Sequence, residues 1–251
     1  MRNIGLIFRR EFAAYWTSPI AYVVLSMFLI LSGFFFFGEL SGFVSAVQQS
    51  GGGGVDVNQQ LIRSYLYSVS VMILFLLPLV TMRLVAEDRR QGTLEVLLTT
   101  PVREIELVLG KYLASVGLFL VMMLGPAVHV GMLFAFGSPD PAPVATGFLG
   151  LFLTGAVYLA IGLFFSTLTQ NQVVAATASF SLFLLLWLCA WLGRLASGTL
   201  GDVLSRISLA AHFENFGRGV LDSADLVFYL SWIAAGIFAA TQAVLAARWK
   251  P

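Results

Sequence analysis

The sequence predicts an all-α membrane protein with six transmembrane helices. Of its 251 residues, 59% are hydrophobic and only 11% are charged, and the mean hydropathy is +0.90. Because a soluble domain carries roughly a quarter charged residues, this chain is too apolar to fold in water. Its length suits about six spans of the roughly 20 apolar residues that a bilayer core requires, and little is left for a soluble domain.

The charged residues leave five long uncharged intervals, and these mark the spans. A charge at the bilayer centre costs about 2.5–3.5 kcal/mol on insertion scales, so spans avoid Asp, Glu, Lys and Arg. One interval, residues 141–193, is too long for a single helix, and its polar middle at residues 167–172 predicts a turn. The predicted spans are therefore residues 19–40, 64–83, 109–136, 144–166, 173–193 and 226–247.

The distribution of Lys and Arg predicts the orientation. With a cytoplasmic amino terminus, ten of the fourteen Lys and Arg residues fall inside, as the positive-inside rule requires. We therefore expect a multi-pass protein of the inner (cytoplasmic) cell membrane with both termini in the cytoplasm. A cleaved signal peptide is the competing interpretation of the first 40 residues, but their apolar run is too long for an h-region and lacks an A-x-A-like cleavage site.

Residues 1–18 predict an amphipathic helix that lies in the cytoplasmic interface. At about 100° per residue, Ile4, Phe8, Phe12 and Tyr15 fall within one narrow arc. The alternative is a plain positively charged flank that serves topology alone.

The most charged connection in the chain lies between predicted spans 2 and 3. Gly92 is expected to end a polar run, and Thr93 is suited to cap a short helix that starts at Leu94. Glu95 would lie in the first turn of that helix, where the helix dipole favours an anion. The helix would expose leucines to the cytoplasm, which predicts a contact with a partner protein.

This connection carries a family resemblance. The run EDRRQGTLEVLLTTP at residues 87–101, followed by Gly-Lys-Tyr at 110–112, resembles the first cytoplasmic loop of ABC type 2 transporter permeases, and among these the gliding-motility-associated permease subunits. Supporting stretches lie at residues 11–12, 18–20, 168–172, 212–214 and 218–222.

The resemblance implies one exporter-like transmembrane domain over residues 1–251. Within it, residues 1–18 are the interfacial helix and residues 84–108 form a cytoplasmic coupling loop with a coupling helix. Residues 194–225 form an extracytoplasmic re-entrant segment whose short outer helices precede span 6.

The same resemblance implies three sets of site residues. The coupling loop would seat in a groove of a separate ATP-binding subunit through Glu87, Arg90, Gly92, Thr93, Leu94, Glu95, Leu97, Leu98 and Pro101. A second cytoplasmic contact would be made by Thr169, Asn171 and Gln172. An outer gate would be formed by His212, Phe213, Glu214 and Arg218. For this last segment, a brace between spans 5 and 6 is an equally good interpretation.

The sequence contains no ATPase motif. No G-x-x-x-x-G-K-[ST] run occurs, and the glycine cluster at residues 51–54 is followed by Val55 and Asp56, which fits a flexible linker. His129 and His212 each lack a second His or a Cys at metal-ligand spacing. We therefore expect a non-catalytic chain with no cofactor or metal of its own, and ATP and Mg bound by the partner subunit.

Together these features predict a permease subunit of an ATP-binding-cassette exporter, with the substrate pathway formed by a dimer. The expected partners are the ATPase subunit, a second copy or a related permease, the lipid bilayer and, following the gliding-type relatives, an auxiliary membrane subunit with an extracytoplasmic domain; no nucleic acid is expected. The alternative is a membrane scaffold or assembly subunit of a cell-envelope machine without transport of its own. A secondary transporter is disfavoured because it would need ionisable residues near the membrane midplane.

Overall fold

The computed structural model describes residues 2–51, 56–93, 102–196 and 198–248. These ranges are helical and contain no strand. Six helices in them are long and apolar enough to cross a membrane: α2 (Pro19–Gln49), α3 (Arg63–Thr81), α5 (Glu104–Phe136), α6 (Pro141–Leu168), α7 (Gln172–Leu195) and α10 (Ser223–Arg248). Shorter helices are α1 (Arg2–Thr17), α4 (Ala86–Arg90), α8 (Thr199–Ile207) and α9 (Leu209–Gly217). The prediction of an all-α membrane protein with six spans is confirmed.

Two helices extend well beyond the spans that hydropathy predicts. Helix α2 continues to Gln49, nine residues past the predicted end, because a single carboxylate at Glu39 does not break a helix. Helix α5 begins at Glu104, five residues early, where Arg103 and Glu106 form a capping box in which the Arg103 N–H donates to Glu106 Oε2 at 3.2 Å. Hydropathy reports where the bilayer ends, whereas hydrogen bonding decides where the helix ends.

The turn predicted at residues 167–172 is present. Helix α6 ends at Leu168 and α7 begins at Gln172. Asn171 caps α7, since its Oδ1 accepts from the N–H of Val173 at 2.9 Å.

Helices α3 and α6 form the centre of the bundle. In each of these two spans, 72% of the most apolar 18-residue stretch is buried inside the protein, whereas the corresponding share in the other four spans is 17–33%. Small residues let α6 pack closely: a Cβ built at Gly147 would lie 2.6 Å from Leu66 Cδ1, and one at Gly150 would lie 2.6 Å from Phe216 Cβ. Gly155 meets the ring of Phe119 in the same way. The glycines of α6 therefore allow its neighbours to approach its backbone closely.

The amino-terminal helix lies against the bundle. Ile7 of α1 packs on Gly110 of α5. Phe8 and Phe12 pack on Gly117, about two turns further along α5. Phe8 and Phe12 also stack on each other, with ring centroids 5.6 Å apart. The amphipathic helix is thus present, but much of its predicted arc packs on α5. Other apolar side chains of α1, among them Leu6 and Trp16, are exposed instead.

The close contact between Gly162 of α6 and Thr81 of α3 offers a test of this packing. We expect Gly162→Ala to destabilise the protein by about 1–3 kcal/mol, because the new methyl group would lie 2.6 Å from Thr81 Cβ, which is too near the backbone to move freely. Gly131→Ala is the matched control, since a Cβ there meets nothing within 4 Å and alanine favours a helix. Denaturant unfolding in detergent measures both variants. Equal stability of the two would contradict the assigned packing.

Candidate functional site

The polypeptide that leaves α3 is fixed to α6 by one buried hydroxyl. Ser166 Oγ accepts the N–H groups of Val85 and Ala86, both at 3.0 Å, and donates to the Met82 carbonyl at 3.2 Å. Ser166, Val85 and Ala86 are all buried. The beginning of the predicted coupling loop is therefore held to the centre of the bundle.

A buried ammonium joins this loop to two helices. Lys111 of α5 is only 2% exposed, and its Nζ lies 2.7 Å from Asp88 Oδ2 of α4 and 3.1 Å from Glu11 Oε2 of α1. We call these three residues the Lys111 cluster. Because a buried charge is costly without partners, Lys111 requires both the loop and α1 to lie beside it.

The charges around Glu11 favour its ionised form. Burial raises the pKa of this carboxyl, but Lys111 and Arg10, whose Nη2 lies 2.6 Å from Glu11 Oε1, outweigh the burial and hold the pKa below its ordinary value. The two carboxylates of the cluster are thus balanced by two cations.

A second bridge connects the loop to the start of α2. Arg83 donates from Nε to Glu87 Oε2 and from Nη1 to Ser18 Oγ, each at 2.8 Å. Beside it and the Lys111 cluster lies an open cleft of about 800 Å³, which is also lined by Gln91. The α1 end of the bundle therefore combines a charged cleft with a rigidly held loop.

The structure describes part of the predicted coupling set. Glu87 is engaged with Arg83, and Arg90 is exposed as the last residue of α4. Gly92 has a φ of +70°, a backbone conformation that glycine adopts without strain, so the predicted break after the polar run is confirmed. Thr93 donates to the Asp88 carbonyl at 3.2 Å. Leu94, Glu95, Leu97, Leu98 and Pro101 lie outside the described residues, and their coupling role stays a prediction.

The second predicted contact lies at the same end of the molecule. Helix α4 packs against α6 and α7, whose junction carries Thr169, Asn171 and Gln172. Thr169 Oγ1 accepts the Asn171 N–H at 3.1 Å, so the polar atoms of these two residues shape the turn. Val173, one residue further on, is 70% exposed. The structure brings this turn beside the loop, and its contact with a partner stays a prediction.

The predicted gate residues lie at the opposite end and hold α9 in place. Glu214 Oε1 accepts hydrogen bonds from Arg63 Nη2 of α3 at 2.9 Å and from Arg218 Nη2 at 2.7 Å. His212 Nδ1 pairs with Asp225 Oδ1 of α10, and Phe213 is buried. The described residues of segment 194–225 therefore pack against the bundle.

A polar group within the spans was found only by the structure. The Tyr65 hydroxyl lies 2.8 Å from His129 Nδ1 and 3.2 Å from Ser32 Oγ, which joins α2, α3 and α5. Phe36 stacks on the His129 ring. His129 thus makes a contact between helices, and nothing in the spacing of Ser32 and Tyr65 marks them in the sequence as its partners.

Lys111 was also missed as a site residue, although the sequence carries a signal for it. It lies just inside predicted span 3, where a lysine needs a carboxylate partner. Which carboxylates would reach it could not be read from the sequence, because Glu11 and Asp88 are distant along the chain. Within the described ranges, no group of three or more His, Cys, Asp or Glu side chains could hold a metal ion.

A protein-family comparison identifies the class of membrane protein. The model of the ABC-2 family transporter proteins matches residues 55–245, about three quarters of the chain. The chain belongs to the ABC-2 transporter family. It is thus a permease-type, multi-pass membrane subunit of an ABC transporter, a class that is normally non-catalytic and works with an ATPase subunit. A search of the curated proteins finds no match.

The family match covers only part of the site of this ABC-2 permease. It includes Asp88, Lys111 and Ser166, together with five of the six spans. It leaves out α1 and with it Glu11. The Lys111 cluster therefore joins the matched part of the permease to a helix outside the match.

The Lys111 cluster can be tested by removing its cation. We expect Lys111→Met to destabilise the permease by roughly 3 kcal/mol, because Glu11 and Asp88 would stay partly buried without their shared partner. Arg90→Met removes an exposed cation from the same loop and should change stability by less than about 0.5 kcal/mol. Denaturant unfolding in detergent compares the two. A loss for Arg90→Met as large as that for Lys111→Met would show that the cluster carries no special stability.

The low pKa of Glu11 predicts a pH dependence. The folded-state pKa lies below the ordinary carboxyl value, so the stabilisation by Glu11 is present at neutral pH and is lost as the pH falls through the folded pKa. Glu11→Gln should therefore be less stable than the unmodified protein at pH 7, and this gap should close below about pH 4. Thermal unfolding between pH 7 and pH 3 measures the gap. A gap for Glu11→Gln that stays constant between pH 7 and pH 3 would refute the interpretation.

Proposed function

We propose that this ABC-2 permease is the transmembrane subunit of an ATP-driven exporter and that it receives the motion of a separate ATPase through the loop between α3 and α5. The observation that carries the proposal is the Lys111 cluster, which joins α4 in that loop to α1 and α5. A loop without such contacts would absorb a displacement in its own flexibility. A loop held by a buried ion pair passes the displacement on.

Three described contacts lead from the loop to three different spans. Ser166 connects its first residues to α6, Lys111 connects Asp88 to α5, and Arg83 connects Glu87 to Ser18 at the start of α2. A push on α4 would therefore reach α2, α5 and α6 together. This arrangement supports a coupled movement of the bundle.

In this proposal the residues after α4 make the contact with the ATPase. Leu94, Leu97 and Leu98 would fill an apolar pocket of the partner, and Glu95 would pair with a basic group that fixes the register. The turn with Thr169, Asn171 and Gln172 would add a second contact, since it lies beside α4. ATP and Mg would be bound by the partner. This chain would lie in the inner membrane, and the α1 end of its bundle would face the cytoplasm.

The remaining partners follow from the same proposal. The substrate pathway would form between this chain and a second permease, either another copy or a related subunit of the gliding-motility-associated type. The weakly buried faces of α2, α7 and α10 would be available for that pairing, since only 22%, 28% and 17% of their most apolar stretches are buried within one chain. An auxiliary membrane subunit with an extracytoplasmic domain would join at the opposite end. There, α9 with His212, Phe213 and Glu214, together with Arg218 just after it, would close the exit of the pathway.

Two variants separate transmission from attachment. Leu97→Asp should release the ATPase, because an unpaired carboxylate would have to be desolvated in the pocket. Asp88→Asn should leave the ATPase bound but reduce the stimulation of its activity by the permease, because the loop keeps its leucines and loses an ionic contact to Lys111. Subunit retention and ATP hydrolysis in reconstituted complexes measure both effects.

The control for this test lies at the opposite end of the bundle. Asp202→Asn removes an exposed carboxylate on α8 and should leave both retention and activity unchanged. If Leu97→Asp keeps the ATPase and Asp88→Asn keeps its activity, the loop is a topological connection only. The chain would then fit the alternative role of a membrane scaffold.

A further inference from the structure

The end of the bundle opposite α1 contains a cavity with an unusual set of charges. It has a volume of about 710 Å³ and lies between α2, α3, α7 and the short helices α8 and α9. Its lining carries four charged side chains, Glu39, Arg63, Arg194 and Glu214. One helical turn further into the bundle than Arg63 and Arg194, the lining includes Tyr67 and Ala190, so the cavity has a polar rim at the two arginines and a less polar floor.

The lengths of the helices place this rim at the depth of lipid headgroups. Glu39 follows the start of α2 by 20 residues, and Arg194 follows the start of α7 by 22 residues. At 1.5 Å per residue, these distances are about 30 Å and about 33 Å. The hydrocarbon core of a bilayer is about 30 Å thick. Each residue is also the first charge after a long uncharged interval, residues 12–38 and 141–193, which places both side chains near the headgroups on the side away from α1.

The four charges are not equally satisfied. Arg63 and Glu214 form an ion pair at 2.9 Å. Arg194 makes no ion pair or hydrogen bond with any residue in the described ranges, and Glu39 accepts a single bond there, from Ser68 Oγ at 3.2 Å. One cation and one anion in the same cavity are thus available to a ligand. The ligand they suit carries a negative and a positive group of its own.

We infer that this cavity binds the headgroup of a phospholipid that carries both a phosphate and a primary ammonium group, as phosphatidylethanolamine does. The planar guanidinium of Arg194 offers two parallel N–H donors to phosphate oxygens. The carboxylate of Glu39 accepts hydrogen bonds from an ammonium. The less polar floor at Tyr67 and Ala190 faces the part of the lipid below its headgroup.

The lining favours a primary ammonium over a trimethylammonium group. Quaternary ammonium groups are held by several aromatic faces together, and Tyr67 is accompanied in this lining by only one other aromatic residue, Phe213, which is buried. A primary ammonium instead needs hydrogen-bond acceptors, and Glu39 supplies them. The cavity should therefore distinguish ethanolamine from choline lipids.

This inference goes beyond the proposed coupling to an ATPase. The cavity is built by one chain and lies at the end of the bundle away from the Lys111 cluster. Its test needs no ATPase, so failure of either idea leaves the other intact.

The test is native mass spectrometry of the purified, delipidated chain in detergent, titrated with phosphatidylethanolamine, phosphatidylcholine or phosphatidylglycerol of identical acyl chains. We expect the ethanolamine lipid to bind several-fold more tightly than the other two. Arg194→Gln should weaken binding of the ethanolamine lipid roughly tenfold, because it removes a charged donor to the phosphate. Glu39→Gln should remove the preference for ethanolamine over glycerol headgroups, because it removes the acceptor for the ammonium.

Matched controls lie on α8, outside the cavity lining. Arg206→Gln and Asp202→Asn each remove an exposed charge near the same end of the bundle, and both should leave lipid binding unchanged. Equal binding of the three lipids would overturn the inference, as would an equal loss for Arg206→Gln and Arg194→Gln. Soluble phosphoethanolamine should compete poorly; competition as strong as that of the intact lipid would overturn the assignment to a membrane lipid.

Discussion

A buried ammonium is the constraint on which the α1 end of this permease depends. Transfer of the Lys111 charge out of water costs several kcal/mol, and the two carboxylates that offset this cost come from separate segments of the chain. Helix α1 and the loop after α3 must therefore occupy fixed places for α5 to keep its lysine. One ionic contact thus links the amino-terminal helix, the loop and the third span.

Helix α6 provides the corresponding constraint along the length of the bundle. Its glycines admit Leu66 of α3, Phe216 of α9 and Phe119 of α5 at distances that no larger residue would allow. At one end its Ser166 holds the loop, and at the other its Thr146 Oγ1 donates to the Phe216 carbonyl at 3.0 Å. The same rigid helix therefore contacts both the loop and the predicted gate segment, about 30 Å apart by helix rise.

Much of the architecture could be predicted because the bilayer imposes a strong rule. A charge inside hydrocarbon is costly, so uncharged intervals mark spans, and the six helices and the turn before Gln172 follow. The helix ends could not be predicted in this way, since the extension of α2 to Gln49 depends on backbone hydrogen bonding rather than on hydropathy. The same limit applies to α1, whose apolar arc is visible in the sequence but whose packing partner is not.

The sequence by itself determined the class of protein, the number of spans and the loop that resembles an ATPase contact, because composition and local motifs depend on residues that are near one another in the chain. Only the tertiary structure decided which charges meet. Glu11, Asp88 and Lys111 come from three helices, and Arg63 meets Glu214 across 151 positions. Such pairs depend on how the helices pack, and a single sequence holds no local signal of that packing.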